Sequence, residues 1–290
     1  MIGIRAAASA AAAVLGLAFS LGSVTSDPAA AFAAEQLVRA RATAAVTAIV
    51  ALQEAMQPGL DAARVAAAAV VGGDGPPSPL LTDAAGLVAD AEGDVAPARR
   101  AVAALESARL AWHPDAAGTP QPLAAGELTS IAAQLAATGP TADTFADLRA
   151  RGTGLPGVLE GALAALERGA IAEAVELTAQ ARADHDAIVA WETDLATLPV
   201  WIETTDAMIG AVEQILDATQ AGDAAAAGEG AEKFAALSDD AATADRALRI
   251  AFSEGGASVT SAPLERLAGA LRSVEAAREA AVESVSEPRR

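Results

Sequence analysis

Histidine is scarce in this chain, and that scarcity limits the chemistry that the sequence can support. His113 and His185 are the two histidines among 290 residues. The residues three positions before them are Leu110 and Arg182, whereas a carboxylate-bridged di-iron site requires a glutamate there. The sequence also lacks the His-Glu-x-x-His zinc motif and the spacing of an EF-hand calcium loop. We therefore predict no metal site.

Nucleophilic catalysis and cofactor binding have equally little support in the sequence. The chain contains no cysteine, which excludes disulfides, thiolate zinc sites and iron–sulfur clusters. It has no Gly-x-Ser-x-Gly nucleophile elbow. It also has no Ser-x-x-Lys pair, because the residue three positions before its one lysine, Lys233, is Gly230. We expect no enzymatic activity and no cofactor. Two alternatives stay open: a cation- or substrate-binding protein, and a hydrolase that uses dispersed carboxylates as acid and base.

A pair of tryptophans marks the best candidate for a binding site. Trp191 and Trp201 flank Pro199, where one helix must bend or end. Both indoles could line a groove between helices and contact a protein or a small ligand, or they could fill a corner of the core. Four carboxylates surround this corner. The candidate contact residues are Trp191, Trp201, Glu192, Asp194, Glu203 and Asp206.

The chain is strongly acidic, with 38 Asp and Glu residues against 19 Lys and Arg residues and a net charge of −19. Such a charge opposes binding to nucleic acid and to anionic lipid headgroups. We expect no nucleic-acid partner. The acidic surface either keeps an alanine-rich protein soluble or attracts cations and basic proteins.

The composition favours helices. Alanine supplies 84 of the 290 residues, aromatic residues supply 3%, and tyrosine is absent. Alanine is the strongest helix former, whereas strands favour β-branched and aromatic side chains. We predict an all-α protein, built as an antiparallel bundle of helical hairpins or as an irregular α-solenoid.

Glycine and proline divide the chain into predicted helices, turns and loops. A glycine can end one helix in the left-handed conformation, and a following small or polar residue can begin the next. On this basis hairpin tips are predicted at 57–61, 92–94, 168–170 and 221–223. Longer loops are predicted at 72–79, 113–126, 151–157 and 254–263. Helices are predicted near 35–71, 95–112, 158–198, 200–221, 224–253 and 262–285, with shorter ones near 82–92, 126–137 and 140–150.

One of these turns carries a local family resemblance. Residues 169–181, with the sequence GAIAEAVELTAQA, resemble the turn and second helix of a tetratricopeptide repeat. The glycine steps along the chain are unequally spaced, and the aromatic and proline positions of that family do not recur. The resemblance therefore covers this segment alone.

The N-terminal segment has the pattern of a secretory signal. An apolar run from Ala6 to Leu21 follows Arg5, and it is shorter than the roughly 20 residues that span a bilayer. Cleavage sites with small residues follow residue 26, in VTS, and residue 33, in AFA. We expect export, with residues 1–33 as a signal peptide or an uncleaved membrane anchor and as the sole membrane contact. Residues 34–290 then form the exported helical domain, with a potential subdivision near 113–126.

Overall fold

Helices form all of the secondary structure in the residues that the computed structural model describes, which are 28–72, 75–114, 118–191 and 195–286. Seven helices pack together in this part of the chain. They are α1 (Pro28–Gly72), α2 (Ser78–Asp90), α3 (Glu92–Trp112), α4 (Glu127–Glu167), α5 (Ile171–Val189), α6 (Leu198–Ala221) and α7 (Ala224–Ser286). The prediction of an all-α helical bundle is confirmed.

The last helix, α7, packs against helices from both the N-terminal and the C-terminal parts of the chain. With 63 residues, α7 is about 95 Å long at the usual rise of ~1.5 Å per residue. Helices α1, α2, α4 and α7 pack around one stretch of the core, and α4, α5, α6 and α7 pack around the next. At the remaining end α1 packs against α3 and α7. In a solenoid each unit contacts its neighbours along the chain, whereas here the first and last helices pack along each other, and the solenoid alternative is not confirmed.

The main hydrophobic cluster runs through all seven helices, and a small second one joins α4, α5 and α6. Aliphatic side chains and alanines fill most of the main cluster, because small residues let helices approach closely. Its largest fully buried side chains are Phe145, Phe252, Ile49, Leu52, Met56, Leu81, Leu105, Leu128, Ile131, Leu135, Leu155 and Leu159. Val102 of α3 and Leu128 of α4, on either side of the 113–126 loop, both belong to it. The subdivision near that loop stays a prediction.

Two of the predicted hairpin tips are confirmed. Gly169 separates α4 from α5, and Gly222 separates α6 from α7, with φ angles of 73° and 71°. Only glycine adopts this left-handed conformation without strain. In the residue after Gly222, the carboxylate of Asp223 accepts hydrogen bonds from the backbone N–H groups of Ala225 and Ala226 at 3.1 Å each. The chain therefore reverses at both positions for the predicted reason.

The Asp223 cap has a measurable consequence. We expect Asp223→Ala to lower the free energy of unfolding by about 1 kcal/mol, because two N–H groups in the first turn of α7 lose their acceptor. Urea denaturation followed by circular dichroism measures the loss. Asp223→Asn, which keeps an oxygen acceptor, should recover most of it. Equal losses in both variants would contradict the cap.

The predicted tip at 57–61 is wrong, because α1 continues through Pro58 and Gly59. Gly59 is buried, and a Cβ atom added there would lie 2.7 Å from Cγ2 of Val88 in α2. The glycine therefore serves the close approach of two helices and does not end one. The rest of the predicted helix over 35–71 is confirmed.

The predicted tip at 92–94 is also wrong. One residue, Ala91, separates α2 from α3, and its right-handed helical angles (φ −66°, ψ −17°) do not reverse the chain. The next residue has another role. The Glu92 carboxylate accepts backbone N–H groups of Gly126 at 2.7 Å and Leu128 at 3.1 Å, which caps the start of α4 from a different helix.

Two predicted loops are helical in the structure. For the other two, the described residues 75–77, 113–114 and 118–126 lie outside helices. The segment 151–157 lies inside α4 and the segment 254–263 lies inside α7, despite Pro156 and Pro263. Gly152 lies close to Leu248 of α7, and Gly255 lies close to Phe145 of α4, whereas a Cβ atom at Gly154 or Gly157 would meet open space. Packing therefore overrides the helix-breaking tendency of these residues. As a result, the short helices predicted near 126–137 and 140–150 merge into α4, and those predicted near 224–253 and 262–285 merge into α7. The helix predicted near 158–198 is wrong in two places, because it is divided at Gly169 and its second part ends at Val189.

Candidate functional site

The Trp191–Trp201 region lies where α5 ends and α6 begins, and we call it the α5–α6 corner. Helix α5 ends at Val189, and α6 begins at Leu198 with Pro199 in its first turn, a position where the missing proline N–H costs no hydrogen bond. A helix boundary does lie at Pro199, but the proline begins α6 and does not bend or end the preceding helix. Glu192 and Asp194 lie outside the described residues.

The two tryptophans pack against different partners. Trp191 is half-buried, stacks on Phe252 with a centroid distance of 5.8 Å, and meets the edge of Phe145 at 5.2 Å. Trp201 is 2% exposed and stacks on His185 at 5.8 Å with an interplanar angle of 25°. Trp191 therefore belongs to an aromatic cluster with α4 and α7, whereas Trp201 joins α6 to α5.

His185 has a polar atom of the protein near each ring nitrogen. Its Nε2 atom lies 3.2 Å from the carbonyl oxygen of Ile202, and its Nδ1 atom lies 3.4 Å from Oδ1 of Asp186. A carbonyl oxygen can only accept, so Nε2 must carry the hydrogen in this contact. The imidazole is 5% exposed. This geometry makes His185 a link between α5 and α6, with Nε2 already engaged.

An arginine and two aspartates form a polar cluster between α4 and α5. Arg151 donates from Nη1 to Asp184 at 3.0 Å and from Nε to Asp147 at 2.8 Å. The hydrogen bond to Asp147, followed by the charge of that carboxylate, raises the pKa of Arg151 above its ordinary value. Asp184 itself is buried. Its carboxylate therefore has a charged partner from the neighbouring helix, as a buried charge requires.

A second arginine ties α5 to α6. Arg182 donates to both carboxylate oxygens of Glu213, at 3.2 Å from Nε and 2.9 Å from Nη2. A third hydrogen bond joins its Nη1 atom to Asp206. The pKa of Arg182 is raised, chiefly by the hydrogen bond to Glu213. The two-point contact fixes the orientation of the guanidinium group, so Asp206 faces an arginine of this chain.

The predicted site residues differ in their burial and in their contacts. Trp201 is buried, Trp191 is half-buried, and Asp206 is exposed but bound to Arg182. Glu203 is exposed on α6. The partners Arg151, Arg182, Glu213 and Ile202 were not predicted from the sequence, although one signal in it indicated that Asp184 needs a cationic partner. Asp184 falls in the apolar stripe of α5, and an acidic residue on a buried face needs a cationic partner.

Metal binding and membrane insertion can be assessed for the described residues. Among them, no group of three or more His, Asp or Glu side chains could hold a metal ion. Within the same ranges, no helix is long and apolar enough to cross a membrane. No protein-family model, curated protein or solved structure matches this chain.

Proposed function

We propose that this chain is an exported or envelope-anchored helical protein that binds or scaffolds other molecules and catalyses no reaction. The observation that carries this proposal is the internal pairing of the polar groups between α5 and its neighbours α4 and α6. Arg151 bonds Asp184, Arg182 bonds Glu213, and His185 bonds the Ile202 carbonyl. Polar groups that bond each other across helices hold the bundle together, which leaves the outer helix faces for partners.

The alternatives from other classes have less support in this geometry. A carboxylate-based hydrolase or a cation-binding protein needs carboxylates that converge on open space. Asp184, Asp206 and Glu213 instead each face an arginine. A protein or small ligand that contacts the corner from outside is therefore the preferred partner, and the net charge of −19 favours a basic or neutral one over nucleic acid.

Export is supported by how the N-terminal residues relate to the core. The apolar run from Ala6 to Leu21 has the composition of a signal segment. Residues 28–33, which follow it, are all exposed at the start of α1. Removal of the leader, or its retention as an anchor, would therefore take no buried side chain away from the described bundle. In this proposal the membrane is contacted through that segment alone.

The proposal is tested by photo-crosslinking in the native host, combined with fractionation of cytosol, membrane and medium. A photoreactive residue replaces Glu203, which is exposed at the corner, or Gln220, which is exposed at the far end of α6. We expect the protein outside the cytosol and a discrete adduct from position 203 that position 220 does not give. A cytosolic protein would contradict export. An exported protein without adducts at position 203 would contradict binding at this corner.

A further inference from the structure

The two cleavage sites that the sequence offers differ in whether the exposed start of α1, residues 28–33, stays on the mature chain. The sites follow residue 26 and residue 33. Helix α1 begins at Pro28, yet its residues 28–33 are exposed, and Val38, at 2% exposure, is its first buried residue. Cleavage at either site therefore preserves the core, but cleavage after residue 33 also removes the exposed start of the helix.

Phe32 is the most exposed Phe or Trp side chain among the described residues. It is 54% exposed. The other six Phe and Trp residues in the described ranges are all buried or half-buried, in keeping with the use of aromatic side chains as large core pieces. In the AFA sequence of residues 31–33, by contrast, Phe32 occupies the position of a cleavage motif that accepts any residue. Its surroundings thus fit a leader better than a mature helix.

The charges of α1 are compatible with this site. The helix that begins at Pro28 has no acidic residue in its first turn. A helix that begins at Ala34 places Glu35 in the first turn, where a negative charge favours the helix dipole. Glu35 lies 2.8 Å from Arg39, and this ion pair is kept after cleavage.

We propose that the chain is processed between Ala33 and Ala34, an inference that rests on the proposed export. A leader peptidase with water as co-reactant would hydrolyse this peptide bond. The hydroxyl group from water would join the Ala33 carbonyl carbon, and the hydrogen would join the Ala34 nitrogen. The mature protein would start at Ala34 and lose Phe32.

Intact-mass measurement and N-terminal sequencing of the protein from the native host test this inference, using the full-length chain and two single variants. Ala33→Leu places a large residue at the proposed site, and Ser26→Leu does so at the competing one. Ala33 is exposed, so its replacement should leave thermal unfolding unchanged. We expect wild type and Ser26→Leu to begin at Ala34, and Ala33→Leu to lose that species.

The outcomes separate this inference from the proposed function. An exported protein that begins at Asp27, with processing lost in Ser26→Leu, would overturn cleavage after Ala33 and leave export intact. A full-length protein in the membrane fraction would also overturn it, while agreeing with the envelope anchor. A full-length protein in the cytosol would overturn both proposals.

Discussion

Phe145→Ala is expected to lower the free energy of unfolding by about 3–5 kcal/mol. Phe145 is fully buried at the centre of α4. Its ring lies 5.0 Å from the Phe252 ring and 5.2 Å from the Trp191 ring, both in edge-to-face geometry. Truncation removes these contacts and leaves a cavity that the surrounding helices can only partly fill. Urea denaturation followed by far-UV circular dichroism gives the change in unfolding free energy.

Thr144→Ala provides a matched control on the neighbouring residue of the same helix. Thr144 is exposed, and its hydroxyl group donates to the carbonyl of Pro140 at 3.0 Å within α4. We expect this variant to stay within about 0.5 kcal/mol of wild type. Similar losses in the two variants would show that Phe145 is not packed as the structure places it.

The packing of Phe145 also depends on a glycine from α7. A Cβ atom at Gly255 would lie 2.6 Å from Cε2 of the Phe145 ring, so Gly255→Ala overpacks the wild-type protein at a cost of about 1–3 kcal/mol. In the Phe145→Ala background the ring is gone, and alanine is favoured over glycine in a helix by about 1 kcal/mol. A double-mutant cycle should therefore show strong coupling, and simple additivity would contradict this contact.

The contrast between turn glycines and packing glycines explains how far the sequence predicts this fold. Composition and turn chemistry were enough for the helical class and for the reversals at Gly169 and Gly222. They failed at Gly59, Gly152 and Gly255, which lie inside helices against Val88, Leu248 and Phe145 respectively. The sequence alone does not distinguish a glycine that ends a helix from a glycine that lets a neighbouring helix pack closely. The distinction lies in a partner helix that is remote along the chain.

The ion pairs that join α5 to α4 and α6 were unpredictable for the same reason. Arg182 and Glu213 are separated by 31 positions, and Arg151 and Asp184 by 33. Many pairs of opposite charge along this chain are compatible with the sequence, and only the pairing of the helices determines which of them form. Asp184 was the exception. Its position on the apolar face of α5 indicates that it needs a cationic partner, but it does not indicate which residue that is.

Trp201→Ala should produce a second large loss, about 3–5 kcal/mol in the free energy of unfolding. The indole is 2% exposed and stacks on His185. Its removal opens a cavity between α5 and α6 and exposes the hydrogen bond from His185 to the Ile202 carbonyl. Chemical denaturation measures the loss, and Val200→Ala is the control, because Val200 precedes it on α6 and is 45% exposed.

This expectation changes how the corner must be tested for binding. A buried indole whose removal destabilises the bundle weakens any interaction indirectly, so a loss of binding in Trp201→Ala would not identify a contact. Glu203→Ala is the sharper variant, because Glu203 is exposed on the same helix and its truncation should change stability by less than about 0.5 kcal/mol. If Trp201→Ala unfolds no more easily than Val200→Ala, the indole lies at the surface, and it is again a candidate for direct contact with the partner. If it does unfold more easily and Glu203→Ala alone reduces crosslinking or binding, the partner meets the outer face of α6, and the two tryptophans serve to hold that face in position.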